Sequence, residues 1–351
     1  MRICGKKLEG HEDEQFFLLV YEVQFTSEVI DKQNGGIKVT IYDMLNELKS
    51  YRNLDIYVTS SNSRMLSKDI ATEFRGRATQ IHVFPLSFEE YFTYVGGDRK
   101  EALDQYMLYG GMPRIALLLD EKDKKNYLTN LYEELYFKDI VERNNLKRED
   151  ILNDILNYIA SQTGSLTNPT NIANALTSMR HENINSKLIS DYLTNTMDAF
   201  LISLARRYDI KGKKYFNYPN KYYYTDIGLR NARLNYRQYD PGHIMENIIY
   251  NELIKSGYSV DVGQVTERKG NEKIPREIDF VVNDGDRRIY IQSAWRMDTE
   301  QKENSELKSL LLTGDYFKKI VIRMDIPHNY YDDNGFFHCK LMDFLLGEVH
   351  L

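Results

Sequence analysis

The stretch Phe16-Phe17-Leu18-Leu19-Val20 decides the fold class. A short apolar run of this length is typical of a buried parallel strand. Further along the chain, residues 41–48 have apolar residues at helical spacing, and residues 54–59 and 80–84 read as two further strands. Strands that alternate with helices are typical of an α/β sheet. We therefore predict an α/β multidomain protein.

A glutamate follows the first apolar run directly. In P-loop nucleotide hydrolases such a strand commonly ends in Asp-Glu, where the Asp helps to hold magnesium and the Glu orients the attacking water. Here Tyr21 takes the Asp position and Glu22 the Glu position. We predict Glu22 as a catalytic, Walker B-like residue. The alternative is a glutamate that simply faces solvent at the end of a strand.

Polar and basic residues after the second run offer further candidates. Thr59-Ser60-Ser61-Asn62-Ser63 follows a predicted strand, where ligands bind in open α/β sheets. Asn62 could sense a γ-phosphate there, or this run could cap the next helix. Arg75 and Arg77 flank Gly76. They are arginine-finger candidates, or the ion pairs of a surface loop.

A phosphate-binding loop of the form G-x-x-x-x-G-K-[ST] would support these assignments. The nearest match runs from Gly5 to Gly10 and is followed by His11-Glu12. It lacks the lysine and the hydroxyl that the motif needs, and we reject it.

The middle of the sequence is helical. Residues 88–141 have a helical pattern that is interrupted at Gly96-Gly97 and at Gly110-Gly111-Met112-Pro113. Three more helices are expected between Asp150 and Leu201. Strand-like stretches follow at residues 202–209 and 214–224. Three helices followed by a hairpin are the outline of a winged helix.

The last third has the layout of a metal-dependent nuclease. Such sites place a Glu on a helix, an Asp on a strand and E-x-K on the next strand, so that carboxylates hold magnesium. Glu246 and Asp279 match this layout, but Gln292 replaces the Glu and Ala294 the Lys. We predict a degenerate nuclease-like site with no metal, although Glu246, Asp279 and Glu277 leave a residual nuclease open.

Charge is concentrated in one segment. The chain has 46 Lys and Arg against 52 Asp and Glu, so its net charge of −6 excludes a globally basic protein. Residues 203–237 nevertheless hold nine basic residues against two acidic ones, with tyrosines between them. A basic wing can bind phosphates and aromatic rings can stack on bases. Alternatively, the tyrosines form the core of the hairpin and the lysines solvate it. The nucleic-acid-binding candidates are Arg206, Arg207, Lys211, Lys213 and Lys214.

Two cysteines, the absence of a signal-peptide core and the absence of an apolar run that could cross a membrane favour a cytoplasmic protein without membrane partners.

These motifs occur together in a recognisable order. They are V-Y-E-V-Q, V-T-S-S-N-S-R-M-L-S, T-E-F-R-G-R, F-P-L-S-F-E-E-Y, Y-G-G-M-P, Y-F-K-D-I-V-E-R-N, S-L-T-N-P-T, Y-Y-Y-T-D-I-G-L-R-N-A-R, I-M-E-N-I-I-Y-N-E-L and Y-I-Q-S-A. As a set they resemble the prokaryotic AAA-type ATPases that carry a winged helix and a C-terminal restriction-endonuclease-like, or PD-(D/E)XK-like, domain. The resemblance covers nearly everything from Phe16 to Leu346.

The resemblance implies a domain plan. It comprises an AAA-type ATPase core with a partial P-loop-type parallel sheet over 1–95, a helical lid or linker over 96–148, a winged helix over 149–237 and a restriction-endonuclease-like α/β domain over 238–351. The family begins with a strand and a Walker A loop. This sequence starts after that point, so we expect an N-terminally truncated core.

The resemblance also implies function. The family uses ATP and Mg²⁺ and acts on nucleic acid or a partner protein. In this family the sensor residue corresponds to Asn62, the arginine finger to Arg75 or Arg77, and the lost Walker B Asp to Tyr21. Two functions follow for this chain. One is an AAA-type ATPase of weak or no activity, and the other is a non-enzymatic module that binds DNA or a sister subunit in a homo-oligomer.

We expect this sequence to bind Mg-ATP weakly. Without the loop amides and lysine most phosphate contacts are missing, and each charge-assisted hydrogen bond contributes about 1.5–3 kcal/mol. Titration calorimetry with Mg-ATP measures the affinity directly. A micromolar dissociation constant would contradict this expectation.

Overall fold

The computed structural model describes residues 2–3, 6–7, 12–23, 29–31, 37–61, 78–216, 219–285, 287–349 and 351. The chain divides into two compact units. The first comprises Met1–Val83 with Asp198–Phe200, and the second comprises Phe84–Met197 with Leu201–Leu351. The architecture is mixed α/β, with a large mixed sheet and many helices.

The first unit is built around a parallel pair of strands. Its elements are β1 (Arg2–Ile3), β2 (Lys6–Lys7), β3 (Phe16–Val20), β4 (Val29–Asp31), β5 (Ile37–Val39), α1 (Ile41–Leu48) and β6 (Leu54–Val58). Strand β3 pairs with β6 in parallel, with Phe16 opposite Leu54. Helix α1 begins at a capping box between Thr40 and Asp43, and packs Leu48 beside Leu54. The sequence predicted both strands and this helix.

Two predictions for the first unit are wrong. We expected β3 to be a buried strand, but Leu19 is 78% exposed, because β3 and β6 form a two-stranded sheet whose inward side chains alone pack with α1. We also expected a strand over residues 80–84. Within the described ranges this segment pairs with no strand, and Ile81 and Val83 are exposed. Apolar content predicted burial there, but a strand also needs a partner for its backbone.

Helices make up most of the second unit. They are α2 (Phe88–Val95), α3 (Arg99–Tyr109), α4 (Pro113–Leu117), α5 (Glu121–Asn130), a π-helix (Leu131–Phe137), α6 (Lys138–Asn144), α7 (Glu149–Ser161), α8 (Pro169–Arg180), α9 (Ser186–Asp198), α10 (Ile227–Arg233), α11 (Pro241–Lys255), α12 (Glu300–Leu311) and α13 (Leu341–Leu345). The predicted interruptions at Gly96 and Gly110 end α2 and α3. In the part of the chain that is described, no helix is long and apolar enough to cross a membrane.

The strands of the second unit are β7 (Ile202–Ala205), β8 (Arg207–Asp209), β9 (Lys214–Tyr215), β10 (Lys221–Tyr224), β11 (Ser259–Lys269), β12 (Glu272–Asp284), β13 (Arg287–Ala294), β14 (Lys318–Arg323), β15 (Tyr330–Tyr331) and β16 (Phe337–Lys340). Eight of them form one sheet in the order β15-β16-β14-β13-β12-β11-β8-β9. Helix α12 covers one face of it with Leu307 and Leu310.

The predicted hairpin is divided between two sheets. We expected continuous strands over residues 202–209 and 214–224. Instead, β7 pairs with β10 in an antiparallel ladder of its own. The exposed Arg206 interrupts the strand. After it, β8 pairs with β11 in parallel, and β9 pairs with β8 as the edge strand of the large sheet. This division puts the β8–β9 hairpin at one end of the large sheet.

A buried aspartate links two motifs of the second unit. Asp226 caps α10 and accepts hydrogen bonds from the backbone N–H of Leu229 at 3.1 Å and of Gly111 at 2.7 Å. A Cβ at Gly110 would collide with the Asp226 carboxylate, and one at Gly228 would collide with the carbonyl of Tyr109. Close approach therefore explains the glycines of both motifs. Burial raises the pKa of Asp226 to about 6, against the lowering effect of its backbone donors.

We expect the free energy of unfolding of the natural protein to fall by roughly 3 kcal/mol, relative to that of Asp226→Asn, as pH rises from below 3.8 to above 6. The unfolded carboxyl loses its proton near 3.8, whereas the folded one keeps it until about 6. The folded state thus binds more protons between these values, and stability falls with pH. Urea unfolding at stepped pH measures the difference. Asp298→Asn, at an exposed position, is the control, and a flat difference would contradict the expectation.

Candidate functional site

Three elements of the second unit bring the predicted nuclease-like residues together. Glu246 lies on the almost fully buried helix α11, Asp279 on β12 and Gln292 on β13. Strand β10 lies against α11 because the Asn247 side chain accepts a hydrogen bond from the backbone N–H of Tyr224 and donates one to its carbonyl. This pairing brings the other side chains of β10 into the site.

A lysine occupies the centre of the site. The Lys221 Nζ lies 2.8 Å from Glu246 Oε1, 2.6 Å from Glu277 Oε1 and 3.5 Å from Asp279 Oδ1. The Tyr223 hydroxyl donates a hydrogen bond of 2.6 Å to Glu246 Oε1. Lys221 is buried, so its charge is compensated inside the protein and not by water.

Burial and the neighbouring charges shift the pKa values of Lys221 and Glu246. Burial alone would lower the pKa of Lys221, but the carboxylates of Glu246, Asp279 and Glu277 outweigh it and raise that pKa above its usual value. Burial raises the pKa of Glu246 to about 7, against the opposing effect of Lys221. The neighbouring Asp279 carboxylate adds to the rise at Glu246, because a like charge disfavours the ionised form.

Gln292 and Ala294 suit this arrangement better than the residues of a working nuclease. The Gln292 Nε2 donates to Glu306 Oε2 at 3.2 Å, and its Oε1 accepts from the backbone N–H of Asp279 at 3.4 Å. A glutamate at 292 would repel Glu306. Ala294 lies in the apolar core under α12, where a lysine would bury a charge without a partner.

The cluster holds three elements together through Lys221. Among the residues described, no group of three or more His, Cys, Asp or Glu side chains could hold a metal ion. The ammonium of Lys221 takes the space between the carboxylates, and it joins β10 to α11 and β12.

The nucleotide-site candidates belong to the first unit. Glu22 lies at the end of β3 with a positive φ of 51°. Its backbone N–H donates to Thr59 Oγ1 at 3.0 Å, and its carboxylate accepts from the Ser61 hydroxyl at 2.9 Å. The structure thus brings Glu22 beside the predicted sensor stretch. Asn62, Arg75 and Arg77 lie outside the described residues.

The five predicted nucleic-acid-binding residues lie on the β8–β9 hairpin or immediately before it. Arg206, Lys211, Lys213 and Lys214 are exposed and Arg207 is half-buried. Other members of the basic stretch are internal. Lys221 forms ion pairs with the carboxylates of the nuclease-like site. The buried Arg230 donates hydrogen bonds to the carbonyls of Ala160 and Gln238. Their charges are not available to a ligand, so the positive surface is smaller than the basic residues of the sequence suggested.

The tyrosines of the stretch divide in the same way. Tyr222, Tyr223 and Tyr224 are buried and belong to the core, as the alternative interpretation held. Tyr215 is exposed.

Sequence reasoning missed the role of Lys221. We treated it as one cation of a basic surface, although it stands beside Tyr222-Tyr223-Tyr224 in a strand whose every residue is buried. A lysine inside such an aromatic strand needs an anionic partner, and the nuclease-like carboxylates were the available ones. Glu306 was also missed, because a polar helix gives no sign of which glutamate faces the sheet.

Comparison with known proteins assigns a family model to most of the chain. An AAA domain matches residues 36–92. A domain of unknown function (DUF8612) matches residues 100–240, and another (DUF4143) matches residues 241–338.

Two relatives match over long alignments. An uncharacterized protein of Haemophilus influenzae is 32% identical over 321 residues, which is 88% of this chain and 75% of that protein. The uncharacterized protein MJ1544 of Methanocaldococcus jannaschii is 29% identical over 270 residues, which is 73% of this chain and 58% of that protein.

Solved structures are similar only at a low level. The crystal structure of protein VC1899 from Vibrio cholerae aligns with a TM-score of 0.23 and 12% identity, over 88% of this chain and 78% of that one. Thermococcus gammatolerans McrB AAA+ hexamers with bound McrC align with a TM-score of 0.26 and 10% identity, over 92% of this chain and 94% of that one. Neither likeness is close enough to support an inference about fold or function.

We expect Lys221→Met to destabilise the second unit by about 3–5 kcal/mol at neutral pH, because the buried carboxylates of Glu246 and Asp279 and the half-buried one of Glu277 lose their cation. Part of this loss should be regained as pH falls, since protonation of the carboxylates removes their repulsion. Urea unfolding of the intact chain at several pH values measures both effects. Lys187→Met, at an exposed helical position, should change little. A small, pH-independent loss for Lys221→Met would show that the cluster does not depend on the lysine.

Proposed function

This chain belongs to the same family as the uncharacterized protein of Haemophilus influenzae. On that premise, and with an AAA domain matched over residues 36–92, we propose that it binds nucleic acid without cleaving it. The proposed binding element is the β8–β9 hairpin with the adjoining Arg206. The proposed reason for the absence of cleavage is the ammonium of Lys221 among the nuclease-like carboxylates.

The exposed charge of the hairpin is the observation that carries the proposal. Residues 206–216 contain five basic residues and one acidic residue. That residue, Asp209, accepts a hydrogen bond from the backbone N–H of Gly212 at 2.9 Å, which closes the turn between the strands. Lysines on both sides of a closed turn can approach successive phosphates of a polyanion, and release of counterions then drives binding.

We further propose that residues 149–237 are a winged helix and residues 238–351 a restriction-endonuclease-like domain. Helices α7, α8 and α9 followed by the β7–β10 ladder support the first assignment. A helical Glu, a strand Asp and a Gln on the neighbouring strand around one site support the second. In such a domain the catalytic centre would require a metal, and Lys221 stands in its place.

Nucleotide hydrolysis is the second candidate function, favoured by the AAA domain match and by the contact between Ser61 and Glu22. The family would use ATP and Mg²⁺. The described residues do not fit the magnesium ion, because Tyr21 offers no carboxylate where the metal's water would be held. We therefore propose that Glu22 belongs to a nucleotide site that has low hydrolytic activity.

Neutralising the hairpin should weaken binding to duplex DNA. For Lys211→Gln/Lys213→Gln/Lys214→Gln we expect a shallower dependence of log affinity on log salt, by roughly 0.9 for each phosphate that the variant no longer neutralises. Fluorescence anisotropy over a salt series measures the slope. The triple variant Lys100→Gln/Lys122→Gln/Lys187→Gln removes the same charge from exposed positions on three helices, and it should leave the slope unchanged.

Two results would contradict the proposal. One is the absence of DNA binding at low salt, and the other is equal loss of binding in the hairpin and helix variants. Plasmid cleavage with Mg²⁺ or Mn²⁺ that disappears in Asp279→Ala would contradict the absence of nuclease activity.

A further inference from the structure

An arginine lies between two aromatic rings beside the basic hairpin. The Arg288 guanidinium carbon is 5.3 Å from the centre of the Tyr208 ring and 5.5 Å from that of Phe317. Its Nε donates to Asn283 Oδ1 at 3.1 Å, which fixes its orientation. Arg288 comes from β13 and Tyr208 from β8, so the contact crosses the intervening strands β12 and β11.

The hairpin continues this row of rings. Tyr215 of β9 lies against Tyr208 with ring centres 5.1 Å apart, and its hydroxyl donates to Asp261 Oδ2 at 2.9 Å. On the same hairpin Phe216 lies 5.4 Å from the Arg207 guanidinium and 5.8 Å from the Lys214 ammonium. Phe216 lies with Arg207 on the other side of the hairpin, because successive side chains of a strand point to opposite faces. We call the set Tyr208, Tyr215, Arg288, Phe317 and the adjacent, exposed Tyr316 the aromatic face.

Much of the aromatic face is open to solvent. The exposed fraction is 56% for Tyr215 and 40% for Phe317, and Tyr316 is fully exposed. Core packing accounts for Tyr208 but not for these three rings. Exposed rings with cations against them can stack with flat ligands, because a base offers a π-face to the ring while the cations attract its phosphates.

Two acids near the aromatic face have hydrogen-bond donors inside the protein. Asp261 accepts the Tyr215 hydroxyl, and Asp315 accepts the Tyr290 hydroxyl at 2.6 Å and lies 3.5 Å from the Lys319 ammonium. Each of these carboxylates has a donor inside the protein, whereas Lys211 and Lys213 are exposed at the turn.

We propose that the aromatic face binds single-stranded nucleic acid, with bases stacked on Tyr316, Phe317 and Tyr215 and phosphates held by the hairpin lysines. This proposal rests on the proposed function, because it names the class of nucleic acid that the hairpin would bind. A duplex keeps its bases stacked on one another and offers mainly phosphates to such a surface. A single strand offers both groups, so it matches the juxtaposition of rings and cations.

The test compares an oligothymidylate with a duplex of the same length, by fluorescence anisotropy on the intact chain. We expect tighter binding of the single strand. Tyr316→Ala should weaken it by about fivefold or more at every salt concentration, because stacking does not depend on counterion release. The same variant should leave duplex binding unchanged. Tyr316→Phe keeps the ring and should bind both ligands as the natural protein does.

Tyr331→Ala is the matched control. Tyr331 is also exposed but lies on β15, at the opposite edge of the eight-stranded sheet, and its loss should change neither affinity. Equal affinity for both ligands, or no effect of Tyr316→Ala, would overturn the stacking proposal while leaving phosphate binding by the hairpin in place. Failure to bind either ligand at low salt would overturn the proposed function as well.

Discussion

The ion cluster around Lys221 governs the organisation of the second unit. A buried ammonium is costly unless anions surround it, and buried carboxylates are equally costly without a cation. The carboxylates of Glu246 on α11 and Asp279 on β12 therefore stabilise the ammonium of Lys221 on β10, and the ammonium stabilises them. Among the strands that the structure describes, none pairs the β7–β10 ladder with the large sheet. This cluster and the Asn247 bonds to Tyr224 are polar links that join β10 to the helix beside the sheet.

This link also positions the surface that faces solvent. The segment between β7 and β10 leaves one ladder, forms β8 and β9 on the edge of the large sheet, and returns as β10 with Lys221 at its start. Both ends of the segment are thus held, and Asp209 closes the turn between them. A hairpin fixed in this way loses little conformational entropy when it binds, which is the advantage of a preorganised surface.

The sequence predicted the regular elements better than it predicted their partners. Apolar spacing identified β3, β6, α1 and most helices of the second unit, because local periodicity determines these elements. It failed at residues 80–84, where an apolar segment finds no strand to pair with in the described ranges. It placed Glu246, Asp279 and Gln292 in one site from their order along the chain. It could not predict Lys221 at the centre, because the contact joins segments that are distant in sequence and depends on the division of the hairpin between two sheets.

The charge distribution determines how binding of a polyanion to this protein depends on salt. The net charge of −6 repels nucleic acid at long range, whereas residues 206–216 hold five basic residues against one acidic residue. At physiological salt the screening length is about 8 Å. Repulsion between the nucleic acid and distant carboxylates is therefore largely screened, and attraction to the hairpin is the stronger interaction at short range. Lowering the salt strengthens both the attraction and the long-range repulsion. Binding by charge alone would therefore gain less at low salt than a wholly basic protein does, and stacking on rings supplies a contribution that salt does not screen.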